Sequence, residues 1–205
     1  RDIGVTGVQT CALPIYGVEG QSLTLLDATN SNLLSMKEFY DIFVRICSVL
    51  EHIHSKGYLH NDIKGNNIIL ERDGDSYSPY VIDFGKSERI TSLKAHRRHT
   101  RNYLAPEVCD VDLASTASDI YSFGYMFEST FKQFGNEHLE SVKSIASKCT
   151  CKNPKKRINL TQFKIENIFT NILGFGNIGD MEFPSKVINL YMALPFGIRV
   201  QLQYM

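Results

Sequence analysis

The chain has 205 residues, 43% of them hydrophobic, with 22 basic and 22 acidic side chains, enough to fill one globular core. A neutral balance gives no whole-chain electrostatic case for nucleic acid or an anionic membrane as partner. No apolar run reaches the ~18 residues of a membrane span and no charged-then-apolar leader opens the sequence, while the five irregularly spaced cysteines fit reduced thiols in the cytoplasm better than a disulfide framework.

Residues 5–15 look like the translation of a sequencing-adapter oligonucleotide fused in frame to a transcript, so residues 1–15 are set aside as non-native. In 16–36, Gly17 and Gly20 are flexible punctuation, and Ser22 is a candidate helix N-cap before the run from Leu23 to Leu26. The strongest helix signal covers 37–56, where Phe39, Phe43, Ile46, Leu50 and Ile53 recur at alternating steps of four and three, and Ile42 and Val49 widen the stripe. Gly57 ends it. His52 and His54 on this helix are assigned no role.

The next stretch, His60-Asn61-Asp62-Ile63-Lys64-Gly65-Asn66-Asn67, is the most polar loop so far, and Asp83-Phe84-Gly85 follows it. Between them, apolar segments at 67–70 and 80–83 flank an Asp73-Gly74 turn signal and predict a two-stranded ribbon whose ends present Asn67 and Asp83 side by side. Residues 94–101 are strongly basic, a solvated loop or a preference for acidic or already phosphorylated partners. A loop over 102–112 carries Ala105-Pro106-Glu107. Beyond it Ser115, Thr116 or Ser118 can cap a helix running to about Lys132, with Ile120, Phe123, Phe127 and Phe131 on its apolar face. Residues 137–151 predict another amphipathic helix, burying Leu139, Val142, Ile145, Ala146 and Cys149. Cys149 and Cys151 read as helix residues, because no second pair stands at zinc-site spacing. Residues 174–205 keep no steady period and are unassigned.

Two acidic residues and an Asn brought onto one loop surface are what phosphoryl transfer to a hydroxyl requires. A base takes the hydroxyl proton in line with phosphorus, while an amide oxygen and a second carboxylate hold the metal ions that neutralise the phosphate oxygens. Asp62 is the candidate base, and Asn67 and Asp83 are the candidate Mg²⁺ ligands.

This set resembles the protein kinase family, whose signature runs H-R-D-L-x-x-x-N, D-F-G, A-P-E in that order. Here the three pieces read H-N-D-I-K-G-N-N, D-F-G and A-P-E, and the clear departure is Asn61 in place of the Arg. The run Asp119-Ile120-Tyr121-Ser122-Phe123-Gly124 is similar to the motif that opens the central buried helix of the kinase large lobe. The resemblance covers 16–173 and implies an α+β family fold, of which this stretch is the mainly helical large (C-terminal) lobe with a short β-ribbon at the catalytic loop. It implies that Asp119 accepts backbone hydrogen bonds from the catalytic loop, that Arg157 pairs with Glu107, and that 160–173 form the lobe's last helix. Few residues follow Phe131 before the next helix, so the family's substrate-docking helix is expected to be short or missing there.

The activity implied is transfer of the ATP γ-phosphate to a Ser or Thr hydroxyl of a protein substrate, with ATP and Mg²⁺ as cofactors. Lys64, two residues after the base, and Thr100, which in such kinases bridges base and lysine, both point to Ser/Thr acceptors; His60 and Phe84 set the loop by packing. With Asn61 instead of Arg, switching is expected not to depend on phosphorylation of Ser87, Thr91 or Ser92. No glycine-rich loop and strand Lys precede His60, so the sequence reads as a fragment lacking the small lobe and inactive as it stands. Two alternatives stand beside this: a pseudokinase scaffold without catalysis, and a small-molecule phosphotransferase, against which Ala105-Pro106-Glu107, Asp119 and Arg157 weigh.

Overall fold

A computed structural model describes residues 23–74, 76–92, 101–109, 114–131, 134 and 139–173. The segments 1–15 and 174–205, the glycines before Leu23, Thr100 and most of the basic run at 94–101 lie outside the described residues.

Ser22 lies outside the described residues, and the first described cap is Thr24. Leu23–Thr24 form a short strand, β1, and Thr24 caps the helix α1 (Leu25–Asn30) by accepting from the Asp27 amide at 3.0 Å. The helix expected from Leu23 instead begins at Leu25, because pairing of Leu23 with Leu70 and of Thr24 with Ile69 holds the first two residues in a strand. The long helix α2 spans Met36–Ser55. Ser35 opens it with a capping box, its hydroxyl taking the Glu38 amide at 3.3 Å while the Glu38 carboxylate takes the Ser35 amide at 2.8 Å. Gly57 then turns the chain with φ +77°, a conformation that glycine adopts without steric cost.

Two antiparallel ladders follow. Strands β3 (Ile68–Asp73) and β4 (Ser76–Val81) pair from Ile68↔Val81 to Asp73↔Ser76, with β1 on the outer edge of β3. Strands β2 (Tyr58–Leu59) and β5 (Glu88–Arg89) form the second ladder. Because β2 precedes β3 and β5 follows β4, both connecting loops, 60–67 and 82–87, run between the same two ladders. This nesting sets the two polar loops against each other.

The remaining elements are helical: α3 (Pro106–Cys109) within the loop expected at 102–112, α4 (Thr116–Phe131), α5 (Leu139–Cys149) and α6 (Leu160–Leu173). The apolar stripe of α2 meets that of α4 and α6 in an aromatic core, with Phe43–Phe127 ring centroids 4.9 Å apart, Phe127–Phe163 5.0 Å and Phe123–Phe163 4.7 Å. These rings are fully buried, and each such side chain contributes about 1.5–3 kcal/mol by leaving water. The architecture is α+β and mainly helical, as the sequence predicts.

Candidate active site

Asp119, at the start of α4, organises the loop before any chemistry is considered. Its buried carboxylate accepts the backbone amides of His60 and Asn61, each at 2.8 Å, and its Oδ2 also meets His54 Nε2 at 2.9 Å. His54 therefore ties the end of α2 to the same carboxylate, a role that its position on the helix stripe did not signal. His60 is fixed by both ring nitrogens: Nε2 donates to the Ile82 carbonyl at 3.0 Å and Nδ1 accepts from the Asp62 amide at 3.3 Å. Burial holds its pKa below the ordinary histidine value, which keeps the ring in the neutral tautomer those two bonds need. Its ring lies 4.9 Å from that of Phe84, the packing contact expected of both.

Asp62 is 1% exposed, and its carboxylate is surrounded by donors. Lys64 Nζ and Lys86 Nζ both lie 2.9 Å from Oδ2, Asn67 Nδ2 donates to Oδ2 at 3.2 Å and to the Asp62 carbonyl at 2.9 Å, and the Tyr103 hydroxyl donates to Oδ1 at 2.9 Å. Burial works against ionisation of this carboxyl, but the hydrogen bonds from Lys86, Lys64 and Tyr103 outweigh it and hold the group well below the usual carboxylate range. Asp62, Lys64 and Asn67 are thus gathered within hydrogen-bonding distance. Lys86 and Tyr103 join them from the second loop and from the approach to α3; neither was singled out by sequence spacing.

Asn67 and Asp83 come from opposite ends of the β3–β4 ladder, and the bond from the Ile82 amide to the Asn67 carbonyl at 2.9 Å brings their backbones together. Asn67 spends its amide hydrogens on Asp62, which leaves an oxygen as its remaining polar atom. Asp83 adopts a left-handed backbone, φ +63° and ψ +69°, and its exposed side chain accepts from the Gly85 amide at 3.3 Å. A non-glycine residue in that region persists only where its surroundings hold it. One amide oxygen and one carboxylate suit Mg²⁺, a hard cation that takes a few protein oxygens and fills its sphere with phosphate oxygens and water.

Behind the loop, Arg157 grips Glu107 with two bonds, Nη1 to Oε1 at 2.6 Å and Nη2 to Oε2 at 2.8 Å, and donates to the carbonyls of Cys151 and Ala117, each at 2.8 Å. The guanidinium also lies 5.0 Å over the Tyr121 ring, and Ser118 donates to Glu107 at 3.2 Å.

Comparison with known proteins fits this geometry. The protein kinase domain matches residues 15–134, more than half of the chain. The chain belongs to the protein kinase family. It is 33% identical over 112 residues to the serine/threonine-protein kinase Nek1 of Mus musculus, 35% over 112 residues to the serine/threonine-protein kinase pakA of Talaromyces marneffei, and 28% over 183 residues to the serine/threonine-protein kinase STE20 of Saccharomyces cerevisiae. These alignments cover 53%, 53% and 76% of this chain, and 9%, 17% and 19% of those relatives' own lengths.

Burial pushes the Cys149 thiol up to about 12, so it stays protonated, and no cluster of His, Cys, Asp and Glu suited to a metal ion occurs among the described residues. No described helix is long and apolar enough to cross a membrane.

Proposed function

We propose that residues 16–173 are the large lobe of a protein serine/threonine kinase that transfers the γ-phosphoryl group of ATP to Ser or Thr hydroxyls of protein substrates. The observation that supports this best is the Asp62 carboxylate, buried yet ionised, with Lys64 and Asn67 bonded to it on one loop. The serine/threonine kinases among its relatives favour the same acceptor class.

The acceptor hydroxyl would be oriented by Asp62 Oδ1, which now takes the Tyr103 hydroxyl, and would give up its proton there as the oxygen attacks phosphorus and the bond to ADP breaks. A carboxylate with this many donors is a weak base, so its main contribution is alignment, with the proton moving late. Lys64 would stabilise charge on the transferring phosphoryl group. Mg²⁺, when bound, neutralises the phosphate oxygens; Asn67 and Asp83 would hold it. Thr100 would bridge Asp62 and Lys64. The free thiols of the described cysteines fit the reducing cytoplasm.

The test is Asp62→Asn in the full-length gene product, assayed with a protein substrate and ATP. Removing a positioned base costs about 10²–10⁴-fold in rate, so turnover should fall by at least that lower figure with folding unchanged by circular dichroism. A variant that keeps both its transfer rate and its cellular function would leave a scaffold without catalysis as the better reading.

A further inference from the structure

The transfer chemistry above does not require Lys86, yet its ammonium lies on the same carboxylate oxygen as that of Lys64, each at 2.9 Å. Asn67 donates to that oxygen as well, at 3.2 Å. A carboxylate offers about four acceptor sites over its two oxygens, so three donors on Oδ2 exceed its share. The surplus donor can be identified. Lys64 and Asn67 belong to the same loop as Asp62 and remain with it, whereas Lys86 comes from the other loop and is the more exposed lysine, 53% against 33% for Lys64. If Lys86 departs, Asp62 keeps an ion pair, so no buried charge is left alone.

Two ammoniums against one carboxylate also leave a positive excess where the acceptor would be presented. That excess is held in place. The Lys86 carbonyl accepts the Asn61 side-chain amide at 3.0 Å, and the turn that carries it, Phe84–Lys86, is closed by the Ser87 amide on the Phe84 carbonyl at 3.0 Å. A lysine is a compact charge with three donors, suited to a single carboxylate or phosphate oxygen. Because its reach centres on Asp62, such an anion must lie close to the reacting hydroxyl, and neighbouring residues of an extended peptide stand about 3.3–3.6 Å apart along the chain.

We propose that Lys86 is a specificity-determining residue that pairs with an anionic side chain immediately flanking the acceptor, so that Ser or Thr next to Asp, Glu or a phosphorylated residue is preferred. This rests on the reading of Asp62 as the carboxylate that orients the acceptor.

The experiment uses the full-length gene product and peptides that differ only beside the acceptor Thr, carrying Ala, Asp or phosphoserine. Wild type is compared with Lys86→Gln, Lys86→Arg and a variant that neutralises the basic run, Arg97→Gln with Arg98→Gln. The quantity read is the ratio of kcat/KM for anionic over neutral peptide, which divides out any general loss of rate. Dissociation constants of the same peptides with Val in place of the acceptor Thr, measured by fluorescence anisotropy, give a ratio that needs no catalysis. A partly exposed ion pair corresponds to a preference of about two- to fivefold. Wild type, Lys86→Arg and the basic-run variant should show it, and Lys86→Gln should bring both ratios to about one. The proposal is overturned if wild type shows no preference, if Lys86→Gln keeps it, or if only the basic-run variant loses it. Absence of transfer to every peptide would sink the catalytic reading of Asp62, and the binding ratio would still decide the role of Lys86.

Discussion

Asn61 turns the first polar loop, 60–67, back on itself with φ +66°, in the left-handed region where a short polar side chain is among the few tolerated without a glycine. Its amide on the Lys86 carbonyl shows what the substitution for Arg accomplishes: a neutral hydrogen bond between the two polar loops in place of a cation. Arg157 shows the opposite case, a charge with no exposed side-chain surface whose donors are distributed over Glu107 and three backbone carbonyls. Replacing it with Met should cost about 3–5 kcal/mol at neutral pH, because the largely covered Glu107 carboxylate, 11% exposed, would lose its partner. The sign of the pH dependence follows. Burial opposes ionisation of Glu107 but the Arg157 hydrogen bonds more than offset it, so the folded pKa lies below the ordinary value. That stability is present above about pH 4.3 and is lost as pH falls through the lower folded value. The gap between wild type and Arg157→Met in urea melts should therefore shrink in acid, and a gap independent of pH would contradict the pairing. At this scale the sequence carried the identities: Asp62, Asn67, Asp83, Glu107 and Arg157 stand in short motifs. It carried no sign of Lys86 and Tyr103 at Asp62, because a salt bridge across two loops leaves no spacing to read.

Helix α2 was legible almost to the residue, since its apolar stripe and Gly57 point the same way, while the Ser35–Glu38 capping box that opens it emerged with the structure. The start of the fold was not, because Leu23 and Thr24 take the strand state through pairing with β3, a contact remote in sequence. Helix α4 holds a position where propensity and packing conflict. A helical glycine costs about 1 kcal/mol relative to alanine, yet a Cβ built on Gly124 would lie 2.3 Å from the Cys149 Cβ and 3.4 Å from the Ala146 carbonyl oxygen. The obstacle is a Cβ on α5, which no rotamer change can move. Gly124→Ala should therefore destabilise by about 1–3 kcal/mol despite its better propensity, measured as a lower Tm in calorimetry. Adding Cys149→Ala should not rescue it, whereas Cys149→Gly should restore part of the loss. An unchanged Tm for Gly124→Ala would mean that α4 and α5 do not approach this closely.

Over the molecule as a whole, the nested ladders β3–β4 and β2–β5 turn a linear order of motifs into one site, and α4 supplies the carboxylate that seats the first loop. Asn61 bridges the loops without a charge, and on the proposed reading ordering of the second loop would not await a phosphate to neutralise an arginine. The full-length gene product should therefore keep its activity to within about twofold after phosphatase treatment, assayed beside a mock-treated sample. A loss of most activity would show that phosphorylation orders the segment by another route.

The sequence by itself determined which chemistry-bearing residues the chain owns, the periods of its helices, and through its ordered motifs the family to which it belongs. These are local properties, set by side-chain type and by spacings of three, four or five residues. The tertiary structure decided what touches Asp62, which state Leu23 and Thr24 adopt, and where His54 and Lys86 belong. Each of those depends on a hydrogen bond or charge pair between loops, strands or helices remote in sequence, and its free energy exists only once the backbone has closed around it.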